Sequence, residues 1–170
     1  HGTRTAAWLE RPGWGRNAYY AVRMTTEVTV RAAVLDDAAG IARVHIQAWR
    51  ESYAHLLPAE SLAGLQQRPR EARWRDIIAA ATSDIGVVCA GTDIVGWASA
   101  GAGRDDDGPR PRVLSGIYVL ASQYGSGAGQ MLLDAALGDA GAYLWIAEDN
   151  PRAFAFYRRN GFVPDGATAV

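Results

Sequence analysis

The chain contains no lysine; all 17 of its basic residues are arginine. That absence excludes a Schiff-base amine and the Gly-x4-Gly-Lys-Ser/Thr phosphate loop. Any bound phosphate must be held by arginine or by backbone N–H groups. Cysteine is almost absent as well. Cys89 stands alone among 170 residues, which rules out a disulfide within one chain and suits a reducing, cytoplasmic setting. The chain lacks an excess of either charge: 17 basic against 18 acidic residues leave a net charge of -1, so neither nucleic acid nor a membrane surface is indicated as a partner. No apolar run approaches the roughly 20 residues that span a bilayer. The first 23 residues mix Arg, Glu, Trp and Pro without the apolar core of a signal peptide.

What is present is the composition of one globular domain, 49% hydrophobic and 21% charged. Residues 1–24 carry Trp8, Trp14, Tyr19 and Tyr20 among Pro12, Gly13 and Gly15, without clear periodicity. Regular patterning starts at Glu27. Val28, Val30 and Ala32 alternate with polar neighbours and predict a first strand, and Asp36 or Asp37 is placed to cap a following helix that carries Ile41, Val44, His45, Ala48 and Trp49 at helical spacing. Pro58 opens a short helical piece through Leu65, and a longer helix is expected over Arg70–Thr82. Strands follow over Ile85–Ala90 and Ile94–Ala100, joined by a turn at Gly91-Thr92-Asp93. The acidic loop Arg104–Pro111 leads to a strand over Arg112–Leu120. Next come a glycine-rich turn, a helix to about Ala140, a strand over Tyr143–Ala147, a helix over Pro151–Asn160, and the start of another strand at Phe162-Val163. The order is mixed α and β, a strand meander followed by a β-α-β unit.

Two blocks carry chemistry. In the first, Gly116-Ile117-Tyr118-Val119 runs toward Tyr124-Gly125-Ser126-Gly127-Ala128-Gly129-Gln130, a turn with alternating glycines that opens directly into a helix. Glycine lets the backbone take positive φ and approach a ligand closely, and the N–H groups at the helix start, backed by its dipole, form an anion site without metal or lysine. Alone, such a turn also fits a dinucleotide fold or a purely structural role. A dinucleotide fold is disfavoured because the unit lies late, behind strands joined by a hairpin.

The second block is Asn150-Pro151-Arg152-Ala153-Phe154-Ala155-Phe156-Tyr157-Arg158-Arg159-Asn160-Gly161-Phe162. It closely resembles the Asn-x-x-Ala-x-x-Phe-Tyr-x-x-x-Gly-Phe signature of the GNAT superfamily of N-acetyltransferases, and the glycine turn resembles that family's acetyl-CoA pyrophosphate loop, Arg/Gln-x-x-Gly-x-Gly/Ala. The resemblance covers Glu27 to about Gly166. It departs at the first loop position, where Tyr124 stands with Gln123 before it, leaving the phosphates to the backbone amides of Gly125–Gln130. The resemblance implies an α/β fold with a mixed, mostly antiparallel sheet flanked by helices. It also implies a slot for acetyl-CoA between two splayed parallel strands, with no metal.

Residue by residue, the resemblance further implies that Ile117, Tyr118 and Val119 pair their backbone with the pantetheine arm, and that an amide near Ile117 or Val119 polarises the thioester carbonyl. Asn150 would bond the pantetheine as well as cap its helix, Ala153 and Phe156 would pack on the cofactor, and Tyr157 would protonate the departing sulfur. The competing reading of Tyr157 is a core aromatic with a satisfied hydroxyl. For the general base, Glu148 and Glu51 are candidates, though a solvated or capping carboxylate is the better supported reading of both. His45 lies on the apolar stripe of its helix and reads as packed. Trp49 and Tyr53 share a helix face and wall an acceptor site for an apolar or cationic amine, or else belong to the core. Trp74, Trp97 and Cys89 read as core, and Asp105-Asp106-Asp107 as a solvated loop.

Family members end with one more strand than the sequence supplies after Gly161. Residues 1–24 are extra, and Asn17–Met24 has the pattern of a strand. Three readings stand for them: an appendage foreign to the natural protein, a flexible leader, or a replacement for the absent strand, in its own molecule or across a homodimer. Residues 25–170 form the N-acetyltransferase domain. The expected reaction is acetyl transfer from acetyl-CoA to a primary amine of a small molecule. The alternatives are acetylation of protein N-termini or lysines, and a non-catalytic CoA-binding or partner-binding module.

Overall fold

The computed structural model describes residues 6–11, 27–53, 58, 60–61, 64–106, 108–147 and 149–169. The segment 17–24, Glu148, and residues 59, 62 and 63 of the helical piece expected over 58–65 lie outside them. Seven strands form one sheet: β1 (Ala6–Arg11), β2 (Val28–Ala32), β3 (Ser83–Ala90), β4 (Asp93–Ala102), β5 (Arg112–Val119), β6 (Ala142–Ala147) and β7 (Val163–Ala169), in the order β2-β3-β4-β5-β6-β1-β7. Only the β5–β6 pair is parallel. Among the described residues, four α-helices accompany them: α1 (Ala38–Tyr53), α2 (Gln67–Ala80), α3 (Ala128–Leu137) and α4 (Pro151–Arg159). None is long and apolar enough to cross a membrane.

The sheet has helices on both faces. Trp97 of β4 packs its ring 5.0 Å from that of His45 on α1, whereas a Cβ on Gly86 of β3 would meet Leu132 of α3. Gly86 pairs with Ala98, next to Trp97, and neighbours along a strand point to opposite faces. Helix α2 then packs on α1. Ile41, Ala42 and Val44 on one side and Leu132 and Leu133 on the other are fully buried. Core leucines of this kind stabilise by about 1.5–3 kcal/mol each relative to exposure. Trp74, Trp97 and Cys89 belong to this core, as their sequence context indicated.

Local chemistry sets several boundaries. Asp37 does not cap α1 by the simple route; it closes a 3₁₀ turn over Leu35–Asp37, accepting from the Val34 amide at 2.8 Å and forming a bidentate pair with Arg31 at 2.6 and 2.8 Å. Gly91 turns the β3–β4 hairpin at φ 61°. At the end of α4, Gly161 takes φ 82°, its amide bonds the Arg158 carbonyl and the Phe162 amide bonds the Tyr157 carbonyl, a Schellman closure. The acidic loop is less solvated than its composition indicated: Asp105 Oδ2 accepts from the hydroxyl of fully buried Tyr143 at 2.8 Å and from Trp145 Nε1 at 3.2 Å.

The far end of the sheet is built from both chain ends. Strand β1 lies between β6 and β7 and is antiparallel to both, pairing Ala6–Arg11 with Ala147–Ala142 in unbroken register. The segment with strand pattern nearest the domain, 17–24, is outside the described residues.

Candidate active site

The parallel pair β5–β6 is joined at a single register position, Val113 with Tyr143. Beyond it β5 stays paired with β4 through Val119, and β6 stays paired with β1 through Ala147. Two strand edges therefore diverge with unpaired backbone facing the gap. The Leu120 amide bonds the Val95 carbonyl of β4. By the two-residue alternation of a ladder, Tyr118 also bonds toward β4, while the N–H and C=O groups of Ile117 and Val119 face the gap. The gap opens into a cavity of about 590 Å³, within the range of small-molecule and cofactor sites.

At one end of this cavity sits the glycine turn. Gly125 and Gly127 have φ of 82° and 88°, and nothing lies within 4 Å of where their Cβ atoms would be. The turn is held by Ser126, whose hydroxyl donates to the Gln123 carbonyl at 2.7 Å and accepts from the Ala128 amide at 3.3 Å. Ser126 thus staples the turn and, unlike its neighbours Gly125, Gly127, Ala128, Gly129 and Gln130, does not line the cavity. No partner among the described residues takes the amide N–H of Gly125, Gly127, Gly129 or Gln130. Four donors converge at the N-terminus of α3, where the helix dipole adds about half a positive charge. Such a cradle fits a pyrophosphate.

Reading the phosphate grip as backbone alone left something out. Arg152 and Arg159 of α4 also line the cavity, and the Arg152 guanidinium lies 2.9 Å above the centre of the Tyr124 ring. Tyr124, at the loop's first position, carries no charge but serves as a platform that places an arginine at the turn. The signal was in the sequence: with no lysine and no arginine in the loop, positive charge had to arrive from elsewhere, and Arg152 falls inside the second motif.

That second motif supplies the cavity's other wall. Asn150 Oδ1 caps α4 by accepting from the Ala153 amide at 3.1 Å, and Asn150, Ala153 and Phe156 all line the cavity. Phe156 also touches the turn, its ring 3.5 Å from the Cβ position of Gly129. Tyr157 is 7% exposed, its ring set edge-on between Phe156 at 5.2 Å and Phe162 at 5.4 Å. The Schellman closure ties its carbonyl to both Asn160 and Phe162. Its hydroxyl has no hydrogen-bond partner among the described residues, yet the residue lines the cavity. Burial, and then the neighbouring Tyr53, raises its pKa well above the usual tyrosine value.

Opposite lies an aromatic wall. Tyr53 and Tyr118 line the cavity, and behind them Trp49 meets Tyr53 at 5.4 Å while His45 stacks on Tyr118 at 5.5 Å and 21°. Trp49 is half-buried and its indole N–H has no hydrogen-bond partner among the described residues. Tyr118 is raised far above its ordinary pKa by burial and by Tyr53, so its hydroxyl stays protonated.

A scan against protein families matches the acetyltransferase (GNAT) family over residues 41–162. This chain belongs to the GNAT family. It is 31% identical over 140 residues to the uncharacterized N-acetyltransferase YuaI of Bacillus subtilis, covering 77% of this chain and 78% of that one. Among solved structures, it superposes on PaiA N-acetyltransferase from Thermoplasma acidophilum in complex with coenzyme A with a TM-score of 0.66 at 16% identity, covering 84% of this chain and 95% of that one. A GCN5-related N-acetyltransferase from Ralstonia eutropha JMP134 gives 0.66 at 20% identity, covering 85% and 97%. As a GNAT acetyltransferase the protein transfers acetyl from CoA, and the slot, cradle and arginines fit that donor.

The GNAT reaction needs a neutral amine, and the candidate bases separate in the structure. Glu51 is committed elsewhere: its carboxylate accepts from Gln47 at 2.9 Å and from the Ala121 amide at 2.8 Å, capping the turn after β5. Glu148 is outside the described residues. His45 accepts from Trp74 Nε1 at 3.3 Å and faces Arg70 Nη1 at 3.1 Å; burial, then Arg70 and Arg73, push its pKa down to about 3. It is therefore a packed neutral ring, as its place on the apolar stripe indicated.

This has a measurable consequence for stability. In the unfolded chain His45 titrates near 6.5, so between 6.5 and about 3 the unfolded state holds a proton that the native state lacks. Stability therefore falls as pH drops through that window, by up to about 1.4 kcal/mol per pH unit from this group, and above 6.5 His45 adds no slope. Urea unfolding between pH 6.5 and 5 should show this decline in the native sequence and a shallower one in His45→Gln. Equal slopes would remove His45 as the cause.

Proposed function

We propose that the protein acetylates the primary amine of a small molecule by direct transfer from acetyl-CoA, both substrates being bound together. The observation that carries this reading is the Tyr157 hydroxyl, on a side chain 7% exposed and held by its helix closure, at the lining of the cavity between the splayed strands with no hydrogen-bond partner among the described residues. A ligand atom in the cavity can accept a hydrogen bond from that hydroxyl without displacing a protein partner. Burial keeps the hydroxyls of Tyr118 and Tyr157 protonated throughout the physiological range. Cys89 is buried in β3 and does not line the slot, which disfavours a covalent acetyl-enzyme.

In the proposed step the amine nitrogen attacks the thioester carbon. The backbone amide of Ile117 or Val119 accommodates the charge developing on the carbonyl oxygen. As the C–N bond forms and the C–S bond breaks, Tyr157 donates toward the sulfur. Its raised pKa means that complete transfer, leaving a tyrosinate, is uphill against a thiol of ordinary pKa near 8.5. The hydroxyl therefore hydrogen-bonds the departing sulfur in the transition state; the acceptor ammonium first loses one proton to solvent, and the second proton, shed by the nitrogen as the amide forms, ends on the thiolate, so the net reaction releases one proton. The enclosing wall of Tyr53, Tyr118 and Trp49 supports a small acceptor over an extended peptide.

The test is thiol release from acetyl-CoA against panels of amino acids, polyamines, other small amines and short peptides. Turnover with small amines above that with peptides is expected. Preference for peptides would replace the small-molecule assignment. Thermal stabilisation by acetyl-CoA without release from any amine would identify a binding module instead.

A further inference from the structure

Among the described residues Arg70 is the one half-buried cation of the aromatic wall, and it is poorly accommodated. It projects from the first turn of α2, whose Gln67-Arg68-Pro69-Arg70 start carries no acidic residue, so its charge adds to the positive end of the helix dipole rather than opposing it. No carboxylate pairs with it among the described residues; the acid beside it, Glu71, sits 3.5 Å from Arg75. Arg73 adds a second positive charge, and burial and that repulsion lower the Arg70 pKa.

His45 does not relieve the guanidinium. Arg70 Nη1 lies 3.1 Å from His45 Nε2, and Trp74 Nε1 lies 3.3 Å from Nδ1. A neutral imidazole accepts at one nitrogen only. If Nδ1 takes the Trp74 proton, Nε2 carries its own and faces Arg70 donor to donor. If Nε2 accepts instead, the indole N–H is orphaned. Either way, at most one of the guanidinium's five donors is satisfied here. Beside it, the Trp49 indole N–H is buried and has no hydrogen-bond partner among the described residues.

The position of this cation relates it to the cavity. Its Cζ lies 5.9 Å over the Trp49 ring, and Trp49 packs on Tyr53; His45 stacks on Tyr118. Both tyrosines line the cavity. Arg70 thus lies two aromatic rings from the slot, past Tyr53 and Trp49 on one path and past Tyr118 and His45 on the other.

We propose that the acceptor is an amine bearing a carboxylate at its far end, with an apolar body against Tyr53, Tyr118 and Trp49 and the carboxylate on Arg70. The proposal rests on the acetyl-transfer reading above. A planar guanidinium matches a carboxylate bidentately, and a singly charged anion balances the one cation that the wall leaves uncompensated. The same charges disfavour the cationic acceptors that an aromatic wall alone would have admitted: a polyamine would bring its second ammonium toward Arg70 and Arg73.

The experiment uses matched pairs, each α- or ω-amino acid against its own carboxamide, with putrescine and spermidine alongside. Two readouts are taken: thiol release from acetyl-CoA, and intrinsic tryptophan fluorescence titrated with the same compounds in the presence of CoA. The native protein is expected to prefer the acid member of at least one pair by about tenfold or more in kcat/KM or in affinity, the size of one charge-assisted bond. Arg70→Gln should reduce that ratio to within about twofold, mainly through KM, and Arg70→Lys should retain part of it. Acetyl-CoA affinity of both variants, followed by thermal shift, reports whether they fold. A ratio near one in the native protein, a preference for polyamines, an unaltered ratio in Arg70→Gln, or no acid bound at all would each overturn the carboxylate assignment. Failure of acetyl-CoA to bind the native protein would instead strike the acetyl-transfer reading beneath it, so the two failures are distinguishable.

Discussion

Replacing Tyr157 by Phe should lower kcat by about 10²–10⁴-fold, the range spanned by a positioned proton donor, while acetyl-CoA affinity and folding hardly change. The reason lies in what the hydroxyl does and does not touch. The ring is fixed by Phe156, Phe162 and the carbonyl bonds that close α4, all of which the variant keeps. The hydroxyl has no hydrogen bond among the described residues, so its removal orphans none of them and costs little stability. A loss confined to kcat, measured by thiol release at saturating acetyl-CoA, is the signature of an interaction made in the transition state. A fall of less than about threefold would return Tyr157 to the core. Tyr53→Phe provides the comparison, since it removes a neighbouring hydroxyl without touching α4.

How much of this arrangement could be read in the sequence depended on how local its cause was. The glycine turn, the Pro-led helix and the Gly161 closure are decided by residues a few positions apart, and the structure puts each where the pattern indicated. The slot follows from strand order, and the resemblance of two motifs stood in for a derivation of it. What escaped notice depends on contacts between distant residues. Asp105 looks solvated among three aspartates, but its partner is Tyr143, 38 residues away. Glu51 offered a carboxylate near the right place, and only the Ala121 amide, 70 residues on, shows it to be a cap. Arg152 reads as a helix-surface residue until Tyr124 is brought beneath it. Arg70 has no sequence signal, because its significance is the lack of an acid among residues gathered from three elements.

Gly127 makes the second large effect. At φ 88° it stands in a region that a β-branched residue does not enter without strain, and it is the residue immediately before α3, with its carbonyl accepting from Met131. Gly127→Val should therefore cost about 1–3 kcal/mol of stability. A second effect should exceed this one. Nothing lies within 4 Å of the Cβ position, so the new side chain is not excluded by the protein; it occupies space beside the free amides of Gly125, Gly127, Gly129 and Gln130, where the phosphates are proposed to bind. KM for acetyl-CoA is expected to rise by about 100-fold or more, equivalent to losing two or more charge-assisted bonds, with kcat at saturation much less affected. Gly138 provides the control. It ends the same helix at φ 53°, also has open space at its Cβ position, and does not line the cavity. Gly138→Val should lose a similar amount of stability and leave KM for acetyl-CoA within about twofold. If both variants raised KM alike, the effect would be general loosening of α3, and the turn would lose its assignment as the phosphate cradle. A rise confined to Gly127→Val ties the anion site to the turn itself, because strain is common to the two positions and only one of them faces the slot.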